Sequence, residues 1–139
     1  MRTGLTLIEL ITVLTILGII TSVAVPNIAT MRDRAAVRGA TSALVSSLAD
    51  ARHLATRWNR RTAVRFDTSA VRAIVHSGQD TVAQLPLRVL FGVSLAVIRD
   101  SIAYYPTGLG FGAANARFIV TRGAAAETVT VSRAGRVKR

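Results

Sequence analysis

The 139-residue chain contains no cysteine. That absence removes a thiolate metal site, a cysteine nucleophile and a disulfide framework together. It leaves the redox compartment open, because a domain without disulfides is compatible with an extracytoplasmic setting and does not require one. Acidic residues are scarce as well: Glu9, Asp33, Asp50, Asp67, Asp80, Asp100 and Glu127 are all there are, and no two stand at a spacing that suggests a carboxylate pair or a metal cage. The two histidines, His53 and His76, have no second ligand three to five residues away and read as surface or partly buried satisfied side chains. No Gly-x-Ser-x-Gly elbow occurs. With no convergence of reactive groups, the expectation is a protein that is not an enzyme and needs no metal or cofactor.

Eighteen Lys and Arg against seven acids give a net charge of +11, and Lys138 is the only lysine. A charge this far from zero makes polyanions plausible partners: nucleic acid, anionic lipid or polysaccharide. The arginines are spread along the chain and not bunched, so they fit an arginine-rich proteome of high GC content equally well.

Long apolar runs are confined to one place. From Leu5 to Val25 only Glu9 is ionisable. At about 1.5 Å per residue these positions make a helix of roughly 31 Å, close to the ~30 Å hydrocarbon core of a bilayer. The segment can span a membrane. It is longer than a secretory h-region and carries a charge, which argues against a cleaved signal at the small-x-small site Ser22-Val23-Ala24. The remainder, about 100 residues, is enough for one domain with a modest core.

Glu9 is the informative residue, since a carboxylate within a span costs on the order of 2 to 3 kcal/mol unless it is paired or near an interface. A cut between Gly4 and Leu5 would create an α-amino group four residues upstream, in the same chain or a neighbouring copy, and the two charges would neutralise each other. The short basic leader Met1-Arg2-Thr3-Gly4, the Gly4/Leu5 junction, Thr6-Leu7-Ile8-Glu9-Leu10 and a helix reaching Pro26 together resemble the class III leader of the type IV pilin superfamily. The resemblance implies cleavage after Gly4 and methylation of Leu5 by a prepilin peptidase. It also implies that Glu9 aligns subunits in a filament. Leu5 stands where phenylalanine is more usual, a departure that bears on processing efficiency. The charges flanking the span, Arg32, Arg34 and Arg38 after it against Arg2 before it, would by themselves place the C-terminal part in the cytoplasm. The resemblance implies the reverse, a single-pass inner-membrane protein with an extracytoplasmic head.

Residues 26–60 are expected to continue the helix, broken or kinked at Pro26. Val37, Ala40, Leu44, Leu48, Ala51, Ala55 and Trp58 recur at spacings of three and four and make one apolar face. Arg34, Arg38, Ser42, Ser46, Asp50, Arg57 and Arg60 make the other. Gly39 costs near 1 kcal/mol within it. A free coiled coil is disfavoured, because small residues dominate the seam over only about three heptads.

From Arg61 the period becomes two. Thr62–Asp67 and Val71–His76 predict a hairpin across Thr68-Ser69-Ala70. Residues 81–98 are ambiguous around Pro86, with strands expected at Val89–Phe91 and Val93–Ile98. Ser101–Tyr105 reads as a short strand. Pro106–Gly112 reads as a loop lacking the spacing, the Lys-Ser/Thr pair and the following helix of a nucleotide cradle. Ala116–Thr121 and Glu127–Ser132 alternate, with Phe118, Val120, Val129 and Val131 inward and residues 122–126 connecting them. A short basic final strand follows.

Tyr104-x-Pro-x-Gly108 and the closing Val129-x-Val-Ser-x-x-Gly-Arg-Val137 extend the resemblance to the H-type (GspH/FimT-like) minor pseudopilins and minor pilins. The implied fold is α+β: a leader at 1–4, a transmembrane helix at 5–25, an amphipathic helix at 26–60 and an antiparallel β-sheet head at 61–139. The implied function is a minor subunit of a type II secretion pseudopilus or a type IV pilus, with Glu9 and Pro26 serving assembly. Its partners would be other pilin or pseudopilin subunits, the prepilin peptidase and the inner membrane. The alternative is a minor pilin that binds DNA through Arg133, Arg136, Lys138 and Arg139, four cations within seven residues where several phosphates could be reached. Lys138 stands where the subfamily's Gly-Arg-x-Arg ending has its second arginine, and it meets phosphate without a fork. A solvated strand edge, protected from pairing by charge, accounts for the same tail.

Overall fold

The computed structural model describes residues 6–111, 116–132 and 136–138, and the chain divides into two compact units, Met1–Arg32 and Asp33–Arg139. Helix α1 (Leu7–Arg57) opens at Thr6, whose Oγ1 accepts the N–H of Glu9 at 3.3 Å. Thr6-Leu7-Ile8-Glu9 thus has the spelling of a capping box. Of the break or kink expected at Pro26, the break does not occur: α1 is continuous through that position.

In the first unit the helix is apolar on all sides. Every large apolar side chain from Leu7 to Ile20 is more than half exposed, and the hydroxyls of Thr12, Thr15, Thr21, Ser22 and Thr30 donate to carbonyls three or four residues earlier at 2.7–3.0 Å. Such back-bonding satisfies polar side chains where water is absent. This segment is long and apolar enough to cross a membrane.

In the second unit α1 becomes amphipathic. Val37, Ala40, Leu44, Leu48, Ala51 and Ala55 are buried, as their spacing predicts, while Trp58 lies beyond the end of α1 and is 44% exposed. Gly39 has a packing reason: a Cβ there would come within 2.9 Å of the Phe91 ring.

The strands form two antiparallel sheets where the sequence suggested one. The first contains β1 (Thr62–Asp67), β2 (Arg72–Ser77), β3 (Asp80–Pro86), β5 (Ser101–Tyr104) and β6 (Gly110–Phe111), in the order β3-β2-β1-β5-β6. The second contains β4 (Ser94–Val97), β7 (Ala116–Arg122), β8 (Ala125–Val131) and β9 (Val137–Lys138), in the order β4-β7-β8-β9. Val64 and Phe66 of β1, Ile102 and Tyr104 of β5, Phe118 and Val120 of β7, and Val129 and Val131 of β8 alternate inward and close a core over the apolar face of α1. Phe66 and Phe118 join the two sheets, with ring centroids 4.5 Å apart. Burial of Tyr104 pushes its phenol up to about 12 against an opposing influence from Arg52.

The β1–β2 hairpin forms as the alternation predicts, in register from Thr62↔Ser77 to Asp67↔Arg72. Asp67 organises its turn. It accepts from the Ser69 hydroxyl at 2.6 Å, the Ala70 N–H at 3.0 Å and Arg72 Nε at 3.0 Å. These contacts, the Ser69 hydroxyl foremost, hold its carboxyl down at about 2.

Three expectations are corrected. Residues 89–91 are not a strand: Leu87–Phe91 form one helical turn, α2, pinned by fully buried Leu87 and closed by Gly92 at φ 63, whose N–H donates to the Arg88 carbonyl at 2.9 Å. Asp80–Pro86 is an edge strand carrying Pro86 at its end, where a missing donor costs no ladder bond. Part of the glycine-rich loop is a strand as well, since β6 pairs Gly110 with Tyr104 and Phe111 with Ala103. The connecting turn is closed by Gly108, at φ 77, donating to the Tyr105 carbonyl at 2.8 Å.

Candidate functional site

Of the residues expected to serve processing and filament formation, Glu9 and Pro26 lie in α1, while Gly4 and Leu5 fall outside the described residues. Glu9 sits in the first turn, where the positive end of the helix dipole favours an anion. Its side chain is exposed, and among the described residues no cation lies within ion-pair distance of it.

Of the basic tail, Arg133 and Arg139 lie outside the described residues. Arg136 and Lys138 are held at the edge of the second sheet. Val131↔Val137 and Thr130↔Lys138 pair β9 with β8. Ser132 and Arg136 are joined by two hydrogen bonds, Ser132 N–H to the Arg136 carbonyl at 2.9 Å and Arg136 N–H to the Ser132 hydroxyl at 3.2 Å. The short final strand expected from the sequence is present.

The sheet edge places Arg136 and Val137 on one wall of a groove of about 640 Å³. Arg52, His53 and Thr56 of α1 form another wall together with apolar Val45, Leu48 and Ala49 of the same helix, and Thr107 and Gly108 of the β5–β6 turn complete the lining. Gly108 lies beside Arg52 and Thr56, and a Cβ there would make ordinary contact with both at 3.4 Å, so its positive φ, not the closeness of α1, is what calls for glycine. The groove is open and combines an apolar lining with two cations, Arg52 and Arg136. Sequence reading found Arg136 but missed Arg52, and read His53 as a surface or partly buried satisfied side chain with no part in a site. No local signal could have joined positions so far apart in the chain. Lys138 is exposed and is not among the groove residues.

No cluster of His, Cys, Asp and Glu among the described residues has the makings of a metal site. No family model and no curated protein sequence matches the chain. Solved structures do. The chain is similar to the type IV minor pilin FimU of Pseudomonas aeruginosa, with TM-score 0.63 and 13% identity over 76% of this chain and 88% of that one. A second crystal form of FimU gives TM-score 0.59 and 12% identity, over 73% and 90%. The minor pseudopilin EpsH of the type 2 secretion system of Vibrio cholerae gives TM-score 0.54 and 15% identity, over 72% and 91%. At these identities the likeness is one of architecture, and it extends over nearly the full length of the neighbours. The chain has the α+β fold of the minor pilins and minor pseudopilins, a long N-terminal helix packed on antiparallel sheets.

Proposed function

We propose that the chain is a minor subunit of a type IV pilus or a type II secretion pseudopilus. The observation that carries this reading is a coincidence within one element: α1 joins a membrane-length apolar segment, with Glu9 in its first turn, to a head of minor-pilin fold. Cleavage between Gly4 and Leu5 frees an amine that neutralises Glu9 of a neighbouring subunit. Apolar packing of residues 5–25 drives assembly, and the buried pair sets axial register. The partners are other pilin or pseudopilin subunits, the prepilin peptidase and the inner membrane.

Glu9→Leu should leave the protein in the membrane fraction and remove it from sheared, purified filaments. Unchanged incorporation would refute the proposal, as would mass spectrometry finding Met1 on the mature chain.

A second reading is favoured by the groove. Arg136, with Arg52, forms a surface for the backbone of DNA. The detergent-solubilised chain should then retard duplex DNA at low salt, and Arg136→Ala should weaken retardation for all sequences and reduce the salt slope by about one. Absence of retardation at low salt would dismiss this reading while leaving the first intact.

A further inference from the structure

One end of the head is built differently from the rest of its surface. It is formed by the first turns of α1 in the second unit, the single turn α2, and the Gly123-Ala124 turn joining β7 to β8. Arg122 ties these together: its Nε pairs with Asp33 at 3.0 Å and its Nη1 donates to the Phe91 carbonyl, while the Phe91 ring lies against Gly39. On this framework α2 buries Leu87 and turns its next apolar residues outward. Val89 is 82% exposed and Leu90 58%. Val89 is the most exposed large apolar side chain among the described residues of the head.

Exposed Arg88 adjoins this apolar pair in sequence. Exposed Arg34 and Arg38 line a shallow pocket with residues 124–127 on the other flank of α1. Of the acids at this end, Asp33 is committed to Arg122, and Glu127, which lines the pocket with Arg34 and Arg38, offsets part of their charge. Two outward apolar residues beside Arg88, with Arg34 and Arg38 exposed on the same end of the head, have the composition of an interfacial membrane contact.

The connectivity names the occupant. Seven residues, 26–32, separate Val25, the last of the apolar run, from Asp33. Whatever path they take, they hold Asp33 within roughly 28 Å of the end of that run. If residues 5–25 are in a bilayer, the surface that this end of the head meets at the highest effective concentration is the headgroup layer of the same bilayer.

We infer that α2, through Val89 and Leu90, inserts into the interface of an anionic bilayer while Arg34, Arg38 and Arg88 meet its lipid phosphates, giving the unassembled subunit a second, reversible membrane contact. The inference rests on the proposed membrane span. Each basic side chain near such a surface is worth about fivefold in partitioning, so the three together are worth about a hundredfold. The contact is correspondingly sensitive to salt and to lipid charge.

The chain's lack of cysteine makes the test direct. Single-cysteine variants of the full chain, Leu14→Cys in the span, Val89→Cys in α2 and Gln79→Cys in the β2–β3 turn, are labelled with a fluorophore. They are reconstituted into phosphatidylcholine vesicles with and without phosphatidylglycerol, and nitroxide-bearing lipid serves as the quencher. The expected result is quenching at position 14 in both vesicles, quenching at 89 only in the anionic ones, and none at 79. The triple reversal Arg34→Glu, Arg38→Glu, Arg88→Glu should abolish quenching at 89 and leave 14 unchanged, with far-UV circular dichroism confirming that the variant is folded. Quenching at 14 without quenching at 89 overturns the inference and spares the span. Loss of quenching at 14 overturns the span and the inference with it. A label at 89 that is shielded from water but untouched by the lipid quencher identifies a protein partner at α2 and overturns the inference too.

Discussion

Along α1, the large apolar side chains between Leu7 and Ile20 are each more than half exposed, whereas Val37, Ala40, Leu44, Leu48, Ala51 and Ala55 are each at or below 2% exposure. Both stretches are helical, the first rich in Leu and Ile and the second in Ala, Val and Leu. They differ in where the apolar residues fall. The first has them on every side, with its hydroxyls turned back onto the helix, and no single surface of its own chain could cover them. The second confines them to one stripe of mostly small side chains, which two sheets cover. Composition begins to separate them, since the first carries only Glu9 as a charge and the second carries Arg38, Asp50 and Arg52. The angular distribution of the apolar residues completes the distinction between a segment that needs an external apolar medium and one that completes its own core.

The sharpest way to break this contrast is to place the same charge in each stretch. Leu44→Asp puts an unpaired carboxylate at a position of zero exposure, at a cost of several kcal/mol. That is a large share of a typical domain stability of about 5–15 kcal/mol. The head should lose its cooperative thermal transition in detergent. Leu14→Asp should leave that transition unchanged and cost about 2.5–3.5 kcal/mol in membrane insertion, read as a smaller membrane-integrated fraction. Equal effects on both readouts would erase the distinction.

Ionisation sharpens it within the head. Tyr104 is neutral in the folded state up to about 12 and ordinarily ionises near 10. Its folded value is raised, so its contribution is fully present below pH 10 and is lost as pH rises towards 12. Two units correspond to roughly 2–3 kcal/mol. Tyr104→Phe should therefore flatten the alkaline limb of a stability–pH curve in that window. Gly39→Ala comes next. Helix propensity favours alanine by about 1 kcal/mol, yet its Cβ would meet the Phe91 ring, and overpacking costs about 1–3 kcal/mol. A lower melting temperature is expected, restored when Phe91→Leu is added.

The smallest effect belongs to Asp67. Its folded carboxyl is held down at about 2 from an ordinary 3.8, so its contribution is present above pH 4 and lost as pH falls towards 2. Asp67→Asn should shallow the acid limb there, and only slightly, because the group is solvent-accessible.

Much of this architecture was legible where a period persists. The stripe from Val37 to Ala55 repeats at three and four, and the alternation at Val64, Phe66, Phe118, Val120, Val129 and Val131 leaves no other face to bury. Short elements were not legible. Leu-Arg-Val-Leu-Phe after Pro86 has strand composition and becomes a helical turn because Leu87 is buried and Gly92 can adopt a positive φ, neither of which is a property of those five residues. Edge strand β3 escaped because four of its middle residues, Thr81 to Gln84, are exposed and leave no alternation to find. The uninterrupted helix at Pro26 overrode a local rule. Glu9 was legible as an anomaly of composition, whereas the groove joining Arg52 and His53 to Arg136 exists only once two sheets have closed on the helix.

The link from Asp33 through Arg122 to the Phe91 carbonyl also bears on the order in which the protein is completed during synthesis. Asp33 leaves the ribosome early, and its guanidinium partner is translated only after most of the head has emerged. Until β7 arrives, the first head turn of α1 has neither its ion pair nor its sheet, and α2 has no arginine to fasten it. The first head turn of α1 is thus among the earliest parts of the head to be made, and it is fastened only once β7 has followed.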